Sequence, residues 1–224
     1  MNFHVLTLFP EVFAHLNHSM IKRACEANKI TINPVNIRDF ATNARRQTDG
    51  YPYGGGAGMI IMAEPIYRAY NSLGCEKSRV VYLSPQGRVF NQALAHELSL
   101  RADLVLICGH YEGIDQRIID EIVTDEISLG DFVLTGGEIA AMAVIDAVAR
   151  LVPGVIKPDS LHAESFSDGL LEYPQYTRPP EFLGRKVPEI LLSGHHGEIE
   201  KWRRQQAIEA TRRKRPDLLR QEEI

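Results

Sequence analysis

The amino-acid sequence predicts an α/β fold: a parallel β-sheet covered by helices on both faces, followed by a small C-terminal helical domain. Short apolar runs alternate with segments whose apolar residues recur at helical spacing, the pattern of strand–helix units in a parallel sheet. The strand candidates are apolar along most of their length, as expected for strands buried on both faces. After Pro153 this periodicity fades and Pro, Gly, Ser and Asp become frequent, so the sheet domain is expected to end there.

The predicted elements follow from these patterns in chain order. Strands are predicted at residues 4–9, 30–37, 79–83, 103–108 and 122–128, and helices at 12–25, 64–73, 91–100, 114–121 and 137–151. Pro34 has no backbone N–H to donate to a sheet, so the second strand is expected at an edge. The last helix, GEIAAMAVIDAVARL, is apolar almost throughout and is therefore expected to be buried on most sides.

Three regions are expected along the chain: a sheet domain at residues 1–152, an interdomain linker at 153–184 and a helical domain at 185–224. The net charge is −4, yet residues 201–224 hold eight Lys or Arg against four Asp or Glu. A basic end on an acidic body indicates a polyanionic partner for that end. The plainer alternative is a solvated helix face, which charge alone favours.

The sequence argues against several classes of protein. No apolar run approaches the roughly 20 residues that a membrane helix needs, and no basic segment precedes the first apolar stretch as in a secretory signal. The three cysteines are far apart and form no CxxC pair, which argues against a disulfide framework and against a zinc site. A cytosolic protein is the expectation.

Three glycine-bearing segments each follow a predicted strand: YLSPQG at residues 82–87, GHYEG at 109–113 and LGDFVLTGG at 129–137. Ligands of parallel sheets bind beyond the carboxyl ends of the strands, and glycine lets a ligand approach the backbone closely. These loops therefore predict a pocket lined by backbone amides with few charges, which suits a neutral heteroaromatic ring and a ribose. The P-loop and Rossmann fingerprints are absent. A fourth run, YGGGAGM at 53–59, indicates a phosphate cradle or, more simply, a hinge.

Taken together, the motifs GGGAGM, YLSPQGR, CGHYEGIDQR, SLGDFVLTGGE, SFSDGLL, YPQYTRP and LLSGHH, followed by Trp-Arg, resemble one family. They stand in the order found in the bacterial tRNA (guanine-37-N1)-methyltransferases of the SPOUT superfamily, from residue 8 to residue 216. The resemblance implies a deep trefoil knot and a homodimer whose active sites are shared between chains. It further implies that S-adenosylmethionine donates a methyl group to N1 of guanine 37 of a tRNA. On this resemblance, residues 1–152 bind the cofactor and residues 185–224 bind tRNA.

The resemblance also implies which residues contact S-adenosylmethionine. They come from the three glycine loops: Tyr82, Leu83, Ser84, Pro85, Gly87, Gly109, Tyr111, Glu112, Gly113, Ser128, Leu129, Gly130, Asp131, Phe132, Val133, Leu134, Gly136 and Gly137.

Two catalytic residues are expected from the chemistry and the resemblance together. Guanine N1 carries a proton, so methylation needs a general base, or a cation that stabilises charge developing on O6. The family's base is an Asp before Ser-Phe, and Glu164 stands at that position here; Asp168 is a rival. Arg150 matches the family arginine that faces O6. Without the resemblance, its place at a helix C-terminus would be explained by the helix dipole.

Contacts with tRNA are expected at Asp49, Lys201, Arg203 and Arg204. Cations hold phosphates and aromatic rings stack on unpaired bases, although Trp202 is more simply a core residue. Gly50 and Tyr51 stand where the family usually has Asp-Arg, which puts local base recognition in question. The family's activity is associated with Mg²⁺, but the sequence shows no dedicated metal cage.

Three alternatives remain open at this point. A nucleotide hydrolase would use the glycine loops on phosphates, but neither Gly109 nor Gly136 has a neighbouring Lys or Arg. A non-catalytic RNA-binding module draws its only support from the Asp-to-Glu change at residue 164. A SPOUT methyltransferase with a different acceptor is the nearest alternative.

Overall fold

A computed structural model describes residues 1–157, 160 and 164–219. The chain divides into two compact units, Met1–Ile156 and Lys157–Ile224. No helix among the described residues is both long and apolar enough to cross a membrane.

A five-stranded parallel sheet forms the centre of unit 1, in the order β2-β1-β6-β5-β7. The strands are β1 (Asn2–Thr7), β2 (Thr31–Asn36), β5 (Arg79–Val89), β6 (Asp103–Cys108) and β7 (Asp125–Ser128), and a short hairpin pairs β3 (Asp49–Gly50) with β4 (Ile60–Ile61). The helices are α1 (Ser19–Glu26), α2 (Ala63–Ser72), α3 (Gln92–Ser99), α4 (Gln116–Ile122) and α5 (Glu138–Ala149), with 3-10 turns at Pro10–Leu16 and Ile37–Phe40. The predicted α/β class with a parallel sheet is confirmed.

The sheet buries both faces, as its continuous apolar strands predicted. Successive residues of β6 alternate between two cores, with Leu104 and Leu106 facing α1, α3 and α5, and Val105 and Ile107 facing α2 and α4. Pro34 lies in the edge strand β2, opposite Val5. Helix α5 packs into the first core, as its composition predicted.

The predicted bounds of one helix and one strand were wrong. The predicted helix at 12–25 is a 3-10 turn and the separate helix α1, because the chain turns at residues 17–19 and Ser19 adopts φ +50°. Phe13, Ile21 and Ala24 are nevertheless buried, so the periodicity located the core face and missed the break. Likewise, the loop predicted after residue 83 lies within β5, as a bulge.

Unit 2 contains one long helix and several short segments. These are a hairpin of β8 (Glu181–Phe182) and β9 (Arg185–Lys186), a 3-10 turn at Glu189–Leu192, helix α6 (His196–Lys214) and a final 3-10 turn at Pro216–Leu218. Residues 164–170 form turns and bends that lead to Leu171. This segment contacts α6, because the N–H of Leu171 donates to the Thr211 hydroxyl at 2.8 Å and Leu170 is buried.

Candidate active site

A pocket of about 280 Å³ lies beside residues 82–86 of β5 and the carboxyl ends of β6 and β7, next to the first turn of α5. This is the edge of the sheet at which parallel folds bind ligands. All three predicted glycine loops contribute to its walls. The lining residues are Tyr82, Leu83, Ser84, Pro85, Gln86, Gly109, His110, Tyr111, Glu112, Gly113, Ile127, Ser128, Leu129, Phe132, Val133, Leu134, Thr135, Gly136, Gly137 and Ala140.

The first wall is a bulge in β5. Leu83 and Arg88 both pair with Ile127 of β7, so residues 84–87 protrude between them. Gly87 closes the bulge against β7: a Cβ there would lie 2.3 Å from the carbonyl carbon of Glu126 and 2.3 Å from the amide nitrogen of Ile127. The wall therefore depends on glycine at this position, because neither backbone atom can move without breaking the strand pair.

An ion-pair network fixes both ends of that bulge. Arg79 donates to both Asp125 oxygens, at 2.6 and 2.7 Å, and Arg88 donates to Asp125 Oδ1 at 2.7 Å. Arg79 also pairs with Glu97 of α3, and the Thr124 hydroxyl lies 2.8 Å from Asp125 Oδ2. The hydrogen bonds from Arg79 hold the pKa of Asp125 below its usual range against the opposing effect of burial. One carboxylate thus joins the residues before and after the bulge to β7.

The second wall is the loop after β6, which packs on the Tyr82 ring. A Cβ at Gly109 would lie 2.9 Å from the Tyr82 hydroxyl, and one at Gly113 would lie 3.3 Å from it. Burial, with a smaller effect from Glu126, raises the pKa of Tyr82, while a hydrogen bond with the Ile114 backbone acts in the opposite direction. The Tyr82 phenol is therefore neutral at physiological pH and presents a polar group without a charge.

The third wall, residues 128–137, is tied directly to the second. The N–H of Gly137 donates to the carbonyl of Gly109 at 2.8 Å, and residues 110 and 136 form a bridge. A Cβ on Gly137 would lie 2.7 Å from Cα of Cys108, so glycine permits the close approach. This crossing brings the N-terminus of α5 to the pocket, where its backbone N–H groups favour negative or electron-rich atoms.

A buried polar chain lies beside these walls, and the sequence did not indicate it. Glu138, 6% exposed, accepts a 2.7 Å hydrogen bond from the Thr7 hydroxyl at Oε1, and its Oε2 lies 2.9 Å from His110 Nε2. The Phe9 ring lies 4.8 Å from the imidazole, centroid to centroid. Among these residues, His110 lines the pocket, and Glu138 fixes the position of the His110 ring.

Most of the predicted cofactor residues meet in this pocket. Fifteen of the eighteen line it, whereas Gly87, Gly130 and Asp131, all described in the structure, do not. Gly87 instead supports the bulge from behind. The lining also includes Gln86, His110, Ile127, Thr135 and Ala140, which were not predicted. Gln86, His110 and Thr135 lie within the predicted loops, so their position alone could have indicated them.

The two predicted catalytic residues lie in different units. Arg150 is the C-cap of α5, so the 12-residue helix separates it from the pocket at the other end, by about 18 Å at 1.5 Å per residue. Glu164 lies in unit 2, half-buried, in the turn in which its carbonyl accepts from the N–H of Ser167 at 3.2 Å. The rival Asp168 is exposed and lies 3.5 Å from Arg204.

The predicted tRNA-binding residues differ in exposure. Asp49 lies in β3 and is only 8% exposed. Lys201, Arg203 and Arg204 all lie on α6, where Lys201 pairs with Glu198 at 2.8 Å. The glycine run at 53–59 lies beside the pocket, since the N–H of Glu112 donates to the carbonyl of Met59 at 3.0 Å and Gly58 packs on the Glu112 side chain.

The charge of the pocket separates the chemical alternatives. Glu112 is the one carboxylate among the lining residues, and no Lys or Arg lines the pocket. A phosphate-cleaving site would need such cations, so the geometry disfavours the nucleotide hydrolase. In the part of the chain that the structure describes, no three His, Cys, Asp or Glu side chains cluster as metal ligands would.

Comparisons with known proteins agree with this geometry. The family described as tRNA (Guanine-1)-methyltransferase TrmD matches residues 1–221. Among curated proteins, the tRNA (guanine-N(1)-)-methyltransferase of Exiguobacterium sibiricum is 58% identical over 220 residues, covering 98% of this chain and 91% of its own. Those of Clostridioides difficile and Ruminiclostridium cellulolyticum are 52% and 55% identical, covering 97% of this chain and 97% and 96% of their own. The chain therefore belongs to the tRNA (guanine-N1)-methyltransferase family.

Proposed function

We propose that this protein transfers a methyl group from S-adenosylmethionine to N1 of guanine 37 in tRNA. The observation that carries the proposal is the pocket in which three glycine segments meet, at the bulge of β5 and at the carboxyl ends of β6 and β7, in a chain that matches the family over residues 1–221. The substrate is a tRNA, and we accordingly propose a location in the bacterial cytoplasm.

The pocket fits S-adenosylmethionine in its chemistry. Gly109, Gly136 and Gly137 line the pocket without side chains, so adenine and ribose can approach the backbone closely, and Tyr82 and Phe132 offer aromatic contact. Glu112 is the lining carboxylate that can face a cationic sulfonium. The bound cofactor supplies a methyl group that is already electrophilic. The residues of the chain must therefore orient it, exclude water and activate the guanine.

We also propose the trefoil knot of the SPOUT superfamily for unit 1. The chain leaves the edge strand β7, crosses the ends of β5 and β6, and enters α5, which packs on β6 and β1. The hydrogen bond between Gly137 and Gly109 marks that crossing. A threaded crossing of this kind is rare among folds and would hold the cofactor loops together without further support.

Two copies of the chain are proposed to form each active site. Arg150 lies at the far end of α5 from the pocket of its own chain, so an Arg150 that acts on guanine there must come from a second copy. Large apolar side chains stand exposed beside the pocket, with Phe132 at 53%, Val133 at 83% and Ile139 at 55%. Apolar groups that cluster on a surface indicate an interface, and a second copy would cover them.

Glu164 is the proposed general base. Glu164 would take the N1 proton as N1 bonds to the methyl carbon and the methyl–sulfur bond breaks to release a neutral thioether, and Arg150 would stabilise the negative charge that develops on O6. Asp168 is a weaker candidate, because it is exposed and pairs with Arg204.

Mg²⁺ is proposed as an aid that acts without a dedicated protein cage. Residues 185–224 bind tRNA, residues 1–152 bind the cofactor, and 153–184 connect them.

Methylation of unmodified tRNA transcripts tests the function. We expect methyl transfer to a transcript with guanine at position 37, and none to the same transcript with adenine there. Transfer to both would mean that another guanine is the acceptor. Calorimetry with S-adenosylmethionine is the companion measurement, because a protein that does not bind it cannot carry out the proposed reaction.

The base is tested by Glu164→Gln, which keeps the shape and removes the basicity. We expect the single-turnover rate to fall about 100-fold or more, the usual contribution of a general base, while the affinity for S-adenosylmethionine stays unchanged. Glu189→Gln, on another turn of unit 2, is the matched control. A wild-type rate for Glu164→Gln would overturn the assignment.

The shared site is tested by mixing two inactive variants, Arg150→Ala and Gly137→Val, the second of which blocks the pocket. If each site takes Arg150 from one chain and the pocket from the other, half of all dimers after equal mixing contain one copy of each variant, and each of these has one working site of two. Activity should return to about a quarter of the wild-type value for a symmetric dimer. No recovery would place both groups in the same chain.

A further inference from the structure

A second pocket, of about 430 Å³, lies within unit 2 between residues 173–180 and α6. It contains the motif YPQYTRP, which the proposed reaction does not use. Ile199, 8% exposed, and the half-buried Leu191 provide apolar surface, while Tyr173, Tyr176, Arg178 and Arg203 provide aromatic and cationic surface. No Asp or Glu belongs to the lining, which is described in full.

Arg203 is the central residue of this pocket. Its guanidinium carbon lies 5.0 Å from the centre of the Tyr173 ring, which is the geometry of a cation–π contact. The Nη1 atom lies 3.8 Å from Glu200 Oε2. The Nε atom, however, is buried and has no hydrogen-bond acceptor among the described residues. A buried donor without an acceptor is unfavourable, so this N–H points to a group that the protein alone does not supply.

The other walls restrict what that group can be. Tyr176 is 47% exposed, and its ring lies 6.4 Å from that of Trp202. Arg178 is exposed and forms no hydrogen bond or ion pair with the described residues. Two cations without a lining carboxylate disfavour a metal ion or a cationic ligand. An aromatic and guanidinium surface, one buried donor and an exposed arginine together suit a flat ring with an acceptor edge that is attached to a phosphate.

We propose that this pocket binds one unpaired nucleobase of the tRNA and its phosphate, a contact separate from the target guanine. The base stacks on Tyr176 and on the Arg203 guanidinium plane, as unpaired bases do in RNA complexes. On binding, the Arg203 side chain shifts so that its buried Nε–H donates to a ring nitrogen or carbonyl oxygen of the base, and Arg178 binds the phosphate. The inference rests on the proposed function in one respect, that the ligand is RNA.

Binding of the full chain to unmodified tRNA, measured by fluorescence anisotropy, tests the inference. We expect Arg203→Gln and Tyr176→Leu each to weaken binding by about 5- to 100-fold, the range for the loss of one base stack. Tyr176→Phe should bind within about 2-fold of wild type, because the π-face alone makes the stack. Arg213→Gln is the matched control, because it removes the same charge from the exposed end of α6. Its affinity for tRNA should fall by no more than the contribution of one phosphate contact.

Two further measurements separate this contact from a merely structural role. The affinity for S-adenosylmethionine should not change in any of the four variants. The slope of log affinity against log salt should fall by about one unit for Arg178→Gln, which loses the phosphate contact, and stay unchanged for Tyr176→Leu, which loses none.

The outcomes are distinct from those of the proposed function. If the wild type methylates tRNA but Arg203→Gln and Tyr176→Leu bind it as tightly as wild type, only the nucleobase pocket is wrong. If those variants instead change the oligomeric state in light scattering and not the RNA affinity, the pocket holds protein and the inference is overturned. If the wild type binds tRNA and does not methylate it, the proposed reaction fails while the pocket is still tested by the same variants.

Discussion

The Nε2 atom of His110 lies 2.9 Å from Oε2 of Glu138, and the other oxygen of that carboxylate accepts a 2.7 Å hydrogen bond from Thr7. Glu138 therefore joins three places that are distant in sequence: the end of β1, the loop after β6 and the first turn of α5. Thr7 is fully buried, so its hydroxyl depends on this acceptor. His110, the outermost of the three, lines the pocket proposed for the cofactor.

Replacing Glu138 by alanine should loosen the pocket and unit 1 together. The change removes the acceptor of a fully buried hydroxyl and leaves a cavity at the start of α5, a combination that costs about 2–4 kcal/mol. We expect the α5 amides to lose that much protection in hydrogen exchange, and calorimetry to show at least about 10-fold weaker binding of S-adenosylmethionine, since a misplacement near 1 Å is that costly in a site.

Glu138→Gln is the control for this change, because it keeps the volume and one oxygen acceptor. It should lose less than half as much protection as the alanine variant. If alanine and glutamine bind S-adenosylmethionine equally well, and as tightly as wild type, the buried chain does not shape the pocket.

Gly87→Ala should prevent the β5 bulge from closing on β7. The added Cβ would lie 2.3 Å from two backbone atoms of residues 126 and 127, far inside van der Waals contact, so the strand pair must separate. We expect a fall in the thermal midpoint of several degrees and loss of S-adenosylmethionine binding, measured by calorimetry and by circular dichroism.

Gly197→Ala is the matched control for the glycine change. Nothing lies within 4 Å of a Cβ at that position in the first turn of α6, and alanine favours helix by about 1 kcal/mol over glycine. It should leave cofactor binding unchanged and unit 2 slightly more stable. A Gly87→Ala protein that binds S-adenosylmethionine normally would mean that the bulge can be rebuilt.

The parts of the fold that could be predicted from the sequence are those set by local pattern. Strand β6 has the predicted bounds. The run DLVLIC is apolar at every position after Asp103, as expected for a strand that is buried on both faces of the sheet. The edge position of β2 followed from Pro34, which lacks a donor. The glycine loops indicated the pocket because parallel strands must end at one edge of the sheet.

The parts that could not be predicted depend on residues far apart in the chain. Thr7 and Glu138 are separated by 131 positions, and no local pattern pairs a threonine on one strand with the first residue of a helix. The β5 bulge escaped prediction because it is defined by two residues that share Ile127 as a partner. Arg203 and Tyr173 likewise lie far apart in sequence, with a hairpin and the start of α6 between them.

Arg79→Gln should reduce stability at neutral pH and much less in acid. Asp125 has a side chain 8% exposed, and its hydrogen bonds from Arg79 lower its pKa. A carboxyl with a lowered pKa in the folded state stabilises the fold above its unfolded pKa of about 3.9. That contribution is lost as the pH falls through the folded pKa. The variant should therefore lose about 3 kcal/mol at pH 7, the lower end of the range for a broken buried pair because Arg88 still pairs with Asp125, and the difference should shrink below pH 4.

Hydrogen exchange of the β5 and β7 amides between pH 5 and 7, with acid unfolding followed by circular dichroism, measures this effect. Arg68→Gln is the control, since it breaks an exposed pair with Glu64 on α2 that is worth under about 0.5 kcal/mol. Equal losses in the two variants, or a loss for Arg79→Gln that does not depend on pH, would contradict the role of Asp125.

Cys108 should report the opening of unit 1 and its stabilisation by the cofactor. Burial, with a smaller effect from Glu138, holds the pKa of the Cys108 thiol well above its usual range, and the residue is 0% exposed at the end of β6. The thiolate is the nucleophile that attacks thiol reagents, so labelling of this buried, protonated thiol requires unfolding around β6. Excess S-adenosylmethionine at 100 times its Kd should slow that labelling about 100-fold, because it binds the folded state alone.

The measurement uses Cys25→Ala/Cys75→Ala, in which Cys108 is the remaining thiol, and compares it with Cys25→Ala/Cys108→Ala. Cys75 is partly exposed and should react without unfolding, at a rate that does not depend on the cofactor. The contrast separates cofactor binding from quenching of the reagent, which would slow both proteins equally. A ligand bound in the pocket at the end of β6 must stabilise that strand. If S-adenosylmethionine does not slow the labelling of Cys108, this pocket is therefore not the cofactor site.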